Sequence, residues 1–158
     1  MSEYDLLLFL HITAAFLFLG GAVIAGALQF TAMLRSRPSE IALLFRLTRV
    51  AEILIAVGSI GTLGLGLWLV SYLNYSWGDD WIVASIVLWI AASALGGIGG
   101  RTYKKAHELA EQLATGGDQP DPRLRALVRD RTAFVLSYAS TAAVIAIVVL
   151  MVWKPGSG

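Results

Sequence analysis

Polar and apolar positions divide the chain into four long hydrophobic runs joined by three connections, two of them strongly basic. From Leu6 to Leu34 there is no Asp, Glu, Lys or Arg, and a helix needs roughly 20 consecutive apolar residues to cross a bilayer. The run is therefore read as a membrane-spanning helix against which the others pack. It ends in Arg35-Ser36-Arg37-Pro38, where two cations suit a helix C-terminus and the proline prevents continuation. His11, Ala15, Phe18, Ala22, Ala25 and Gln29 recur at spacings of three and four, which puts them on one stripe. Polar at both ends and mostly small between, that stripe is expected to face protein rather than lipid.

Ser39 is expected to cap a second helix with Glu40 in its first turn. The amphipathic run Ile41 to Ala51, with Arg46 and Arg49 against Leu43, Leu44, Leu47 and Val50, either lies in the interface or extends the next span. That span, about 53–72, carries Gly58, Thr62 and Gly66 in a small-xxx-small series that permits close helix approach. Glu52 at its edge is expected to pair with Arg49. The turn Asn74 to Trp81 is rich in Tyr and Trp, whose rings settle at headgroup level. A third span, about 81–100, ends in Gly96, Gly97, Gly99 and Gly100; no strand precedes these glycines and no Lys-Ser/Thr follows, so they are packing positions and not a phosphate loop. The helical pattern continues, charged, to Ala114 and breaks at Thr115 to Pro120, after which Asp121-Pro122 reads as an N-cap with proline at the first helical position. The fourth span runs from about Thr132 to Trp153, and the tail Lys154 to Gly158 has no predicted structure.

Composition agrees: 57% of the 158 residues are hydrophobic and the mean hydropathy is +0.71, beyond what a water-soluble domain of this length carries. The absence of cysteine excludes disulfides, thiolate metal sites, iron–sulfur clusters and thiol catalysis. The acidic start, Glu3 and Asp5, and the length of the first run predict that this span is retained rather than cleaved as a signal peptide. Eleven of the twelve Lys and Arg residues lie in the first and third connections. By the positive-inside rule those connections are cytoplasmic and both termini lie outside, with His11 about 8–10 Å into the first helix from its outer start.

His11 is the only histidine in the spans, and an ionisable group inside a membrane segment is costly enough to be examined as functional. One reading has neutral His11 hydrogen-bonding a serine, threonine or backbone carbonyl across the bundle. Another has it ligating a b-type haem, with Met151 at comparable depth as the second axial donor. A third has it handle protons or a substrate. His107-Glu108-Leu109-Ala110-Glu111 lacks the second histidine of a zinc-protease helix and predicts a His107–Glu111 contact instead. No catalytic set and no metal site is expected, and Ser137, Ser140 and Thr141 are expected to hydrogen-bond between helices. The basic connections suit anionic lipid headgroups. The glycines of spans two and three, more numerous than one bundle core requires, predict self-association or a membrane-protein partner.

Phe9-Leu10-His11-Ile12 followed by Gly20-Gly21, the Arg-rich first connection, Leu65-Gly66-Leu67-Trp68 and Trp81-Ile82-Val83-Ala84-Ser85 resemble the bacterial membrane family named domain of unknown function 2269, over nearly the whole chain. The Leu-His opening is more distantly similar to the membrane-bound protoporphyrinogen oxidases and copper-resistance D-type proteins, which implies a role for His11 alone; Trp81 to Gly100 contains no lysine to match the oxidases' later-helix lysine. The expectation is an all-α integral membrane four-helix bundle in one domain, 1–158, with spans at about 6–34, 53–72, 81–100 and 132–153. A cytoplasmic helical hairpin is expected between spans three and four. The chain is placed in the bacterial inner membrane as a non-enzymatic subunit, scaffold or binding component, with haem b binding at His11 as the alternative.

Overall fold

The computed structural model describes residues 2–155, so the end of the tail, Gly156 to Gly158, lies outside the described residues. Five helices follow one another: α1 (Glu3–Met33), α2 (Pro38–Tyr72), α3 (Asp80–Thr115), α4 (Pro122–Val128) and α5 (Arg131–Trp153). No strand occurs among the described residues. With α4 and α5 taken as one stretch, four helical stretches are long and apolar enough to cross a membrane.

Local chemistry sets the ends. Ser2 and Asp5 form a reciprocal capping box at α1: the Asp5 amide donates to Ser2 Oγ at 3.2 Å and the Ser2 amide to Asp5 Oδ2 at 3.0 Å. The expectation for α2 needs correction. Arg37 is its N-cap and Pro38 its first residue, so Ser39 sits inside the helix and does not cap it. The run Ile41 to Ala51 continues without a break into the span, and of its two expected placements it takes the second. Asp121 caps α4 as expected, accepting from the Arg123 and Leu124 amides. Asp130, within a stretch read as merely basic, caps α5 by accepting from the Ala133 amide at 2.7 Å.

Small residues decide the packing. A Cβ at Gly58 would meet the Phe18 amide nitrogen and lie 2.7 Å from the Ala14 carbonyl oxygen, and one at Gly21 would lie 2.9 Å from the Ala51 carbonyl oxygen; α1 and α2 therefore touch backbone to backbone. The buried seam of α1 is Leu7, Ala14, Gly21, Ala25 and Ala32. Of the predicted stripe only Ala25 belongs to it, and the other five members are half-buried along its flank. Between α3 and α5, a Cβ at Gly99 would lie 3.1 Å from the Ala133 carbonyl oxygen and one at Gly96 would lie 3.1 Å from Ser140 Oγ. One hydrogen bond ties the two pairs together, Trp89 Nε1 to Ser59 Oγ at 2.9 Å, and a second holds α5 to α3, Ser140 Oγ donating to the Ala92 carbonyl at 2.8 Å. Thr141, expected to bond between helices, donates instead to Ser137 O of its own helix.

At the end remote from the termini, the first turns of α2, the charged extension of α3, and α4 enclose a compact apolar core. Ile41, Phe45, Tyr103, Ala106, Leu124 and Val128 form it. His107 packs on Phe45 and reaches Glu111 at 3.4 Å, the contact its spacing predicts. The expected Arg49–Glu52 ion pair is absent among the described residues, and both side chains are exposed. Phe16 and Ile60, each more than 70% exposed in mid-helix, show the bundle's outer face to be as apolar as its interior, which suits lipid as solvent.

Candidate functional site

Near the end where α1 begins and α5 finishes, α1, α2, α3 and α5 diverge around a cavity of about 450 Å³. Its walls are mostly Leu, Ile, Val and Phe. The polar exceptions are few and convergent, the pattern expected of a small-molecule site.

His11, in the third turn of α1, reaches the cavity because α2 presents Gly66 opposite it. A Cβ there would stand 3.0 Å from the imidazole Cε1 and 3.4 Å from Nδ1, so any side chain at 66 would compete with the ring for space. His11 Nδ1 is buried with no hydrogen-bond partner. Thr62 Oγ1 on α2 and Trp81 Nε1 at the start of α3 are likewise buried without partners, and both residues line the same cavity. Each such orphaned group costs about 1–3 kcal/mol. The three are chemically distinct: an indole N–H only donates, a hydroxyl does both, and a neutral imidazole nitrogen without its proton only accepts.

The mouth is aromatic and cationic. Lys154 Nζ donates to Tyr75 Oη at 3.1 Å and stands 5.0 Å from the Tyr75 ring centre and 5.7 Å from that of Trp81. The two rings meet edge to face at 5.4 Å. Deeper in, Ser85 Oγ donates to the Trp81 carbonyl at 2.7 Å, fixing the turn of α3 that carries the indole.

The two residues singled out from the sequence, His11 and Met151, line this one cavity from α1 and α5. Thr62, Gly66 and Trp81 were legible only as a small packing residue, another, and an interfacial aromatic; nothing in their spacing marks a shared cavity. No group of three or more His, Asp or Glu that would hold a metal ion occurs among the described residues.

A family model described as "Predicted integral membrane protein (DUF2269)" matches residues 5–155. No curated protein and no solved structure matches, so the wider likeness to the oxidases and copper-resistance proteins gains no support there.

Proposed function

The chain belongs to the DUF2269 family of predicted integral membrane proteins, and from that premise we propose that it is a non-enzymatic binding component of the bacterial inner membrane. Its cavity takes a neutral, lipid-soluble molecule with a hydroxyl or carbonyl head. The observation that supports this reading is that His11, Thr62 and Trp81, each carrying a buried polar atom without a partner, all line one apolar cavity. After small rotations of the three side chains, a carbonyl or hydroxyl oxygen would accept from the indole, from the Thr62 hydroxyl and from Nδ1 in the tautomer that protonates it, and a hydroxyl would donate to Nδ1 in the other tautomer. The walls, apolar but for a few polar side chains and Lys154 at the mouth, favour an apolar body, and the positive-inside rule favours the outer half of the membrane for this end of the bundle.

A short-chain benzoquinone tests it, because Trp81 and Trp89 line the cavity and quinones quench indole fluorescence on contact. Saturable quenching of the detergent-purified protein, displaced by a long-chain alcohol, is expected. It should weaken up to about tenfold in His11→Leu or Thr62→Val, the worth of one hydrogen bond. Linear, non-saturating quenching that is identical in both variants overturns it.

One observation favours a second reading, b-type haem: His11 Nδ1 is unpartnered and Met151 faces the same cavity. Those two residues would hold the iron, with Lys154 at the mouth for a propionate, and the group would supply electron transfer. A Soret band in purified protein, lost in His11→Ala, would select this reading over the first.

A further inference from the structure

A second pocket, of about 320 Å³, lies at the opposite end of the bundle, where the end of α1, the start of α2, and α4 with its flanking residues meet. Arg35, Arg125 and Arg129 line it. Its floor is apolar, with Met33, Ile41, Leu124 and Val128. We infer that this pocket binds the phosphate headgroup of an anionic phospholipid.

The charges facing it leave a positive balance. Asp121 is the one carboxylate in the lining, and its Oδ1 already accepts from the Arg123 and Leu124 amides at 2.6 and 3.2 Å. Glu40 lies 3.8 Å from Arg35 Nε, with both side chains about half exposed, a loose pair of small worth. Arg129 donates through Nε and Nη2 to the Met33 carbonyl at 3.3 and 3.1 Å, which closes the C-terminus of α1 and fixes its guanidinium at the rim. Arg125 has no ion pair among the described residues. Planar guanidiniums bind phosphate oxygens in pairs, and three around one pocket match a phosphodiester.

Depth selects a lipid over a soluble phosphate. Arg35 directly follows the charge-free run 6–34, and Arg129 stands just before the apolar α5. Both spans therefore bring the pocket to the level where hydrocarbon gives way to headgroups. Leu34, beside it, is 66% exposed and the pocket floor is apolar, so acyl chains have a surface to follow.

Native mass spectrometry of protein released from bilayers of equal phosphatidylglycerol and phosphatidylcholine tests the site. Wild type should retain phosphatidylglycerol at least several-fold in preference, Arg35→Gln with Arg125→Gln should lose that preference, and Arg35→Lys with Arg125→Lys should keep most of it. Millimolar glycerol 3-phosphate should not displace the lipid; displacement would make the pocket a soluble-phosphate site and overturn the assignment. Undiminished preference in the glutamine variant overturns it too, as does equal retention of phosphatidylcholine by wild type. His11 lies about 33 Å from Met33 along α1 at 1.5 Å per residue, so His11→Leu should leave lipid retention unchanged and the two sites stand or fall separately.

Discussion

Asp118, in the connection after α3, caps the start of α2 through Ser39, 79 positions away: Oδ1 accepts from the Ser39 amide and Oδ2 from the Ser39 hydroxyl, each at 2.7 Å. Arg37, the N-cap of α2, offers no side-chain acceptor of its own, so the carboxylate that an N-terminus favours arrives from another part of the chain. Asp118 adopts φ +56° and follows Gly117 at +120°, the left-handed pair that aims it back at α2. Asp118→Ala should loosen the contact between the α3–α4 connection and α2, seen as faster hydrogen exchange at residues 38–41 and in the 116–121 loop. Asp118→Asn, which keeps one acceptor, should show the smaller change. Equal exchange in all three proteins would remove the role assigned to this pair.

The same contact makes a pH prediction. The Ser39 hydroxyl and amide hold the Asp118 carboxyl below its ordinary value of 3.8, with Arg37 adding to the effect. A carboxylate depressed by folding stabilises the fold above its unfolded value, and that contribution is lost as the pH falls through the lower folded value. Being exposed, the group contributes modestly. Thermal midpoints measured from pH 6 to pH 3 should fall more steeply below about pH 4 for wild type than for Asp118→Asn, and parallel curves would contradict the linkage.

The span 6–34 was legible because a charge-free run that long has one solvent that suits it. The Asp121 cap and the His107–Glu111 contact are local, set by offsets of four residues or fewer. Ser39 departs from its expected role because its partner Asp118 lies in another connection, and no local pattern discloses a cap delivered from elsewhere. The α1 stripe was displaced from the buried seam because Ala, Gly and Leu fill so much of α1 that several faces satisfy the small-residue criterion. His11 stood out as a rarity, whereas Thr62 and Trp81 acquire meaning only when three helices bring these residues to one cavity.

Glycines divide by what stands opposite them. Gly58 faces the backbone of α1, while Gly64 and Gly97 have nothing within 4 Å. Gly58→Ala should therefore lower the thermal midpoint sharply and Gly64→Ala should leave it unchanged or raised, since Gly costs roughly 1 kcal/mol relative to Ala in a helix. If the chain self-associates through its outer small-residue face, Gly97→Leu should shift the oligomer distribution in native mass spectrometry without lowering the midpoint. A stable monomer for wild type and variant alike would dismiss that interface.

Both termini outside is a prediction of the charge distribution. Single cysteines at Ser76, in the α2–α3 turn, and Thr115, at the end of α3, should label from opposite sides of intact cells with an impermeant maleimide. Labelling of both from the same side would refute the four-span topology, and labelling of Thr115 alone would invert it.

The proximity of Gly66 to His11 yields a prediction that separates a ligand-facing imidazole from one that merely fills space. A methyl at 66 stands 3.0 Å from the ring, so Gly66→Ala must shift the imidazole by a few tenths of an ångström. Residues in direct contact couple non-additively. If ligand binding depends on where the ring sits, Gly66→Ala should weaken quinone quenching about as much as His11→Ala does, and should cost little more once His11 is already alanine. His11→Gln adds the stability arm: about 1 kcal/mol lost for one hydrogen bond, with folding preserved and a wild-type transition between pH 5 and 8 abolished, because an amide does not titrate there. Additive losses from Gly66→Ala and His11→Ala, together with identical pH profiles for wild type and His11→Gln, would reduce His11 to a packing residue seated against Gly66.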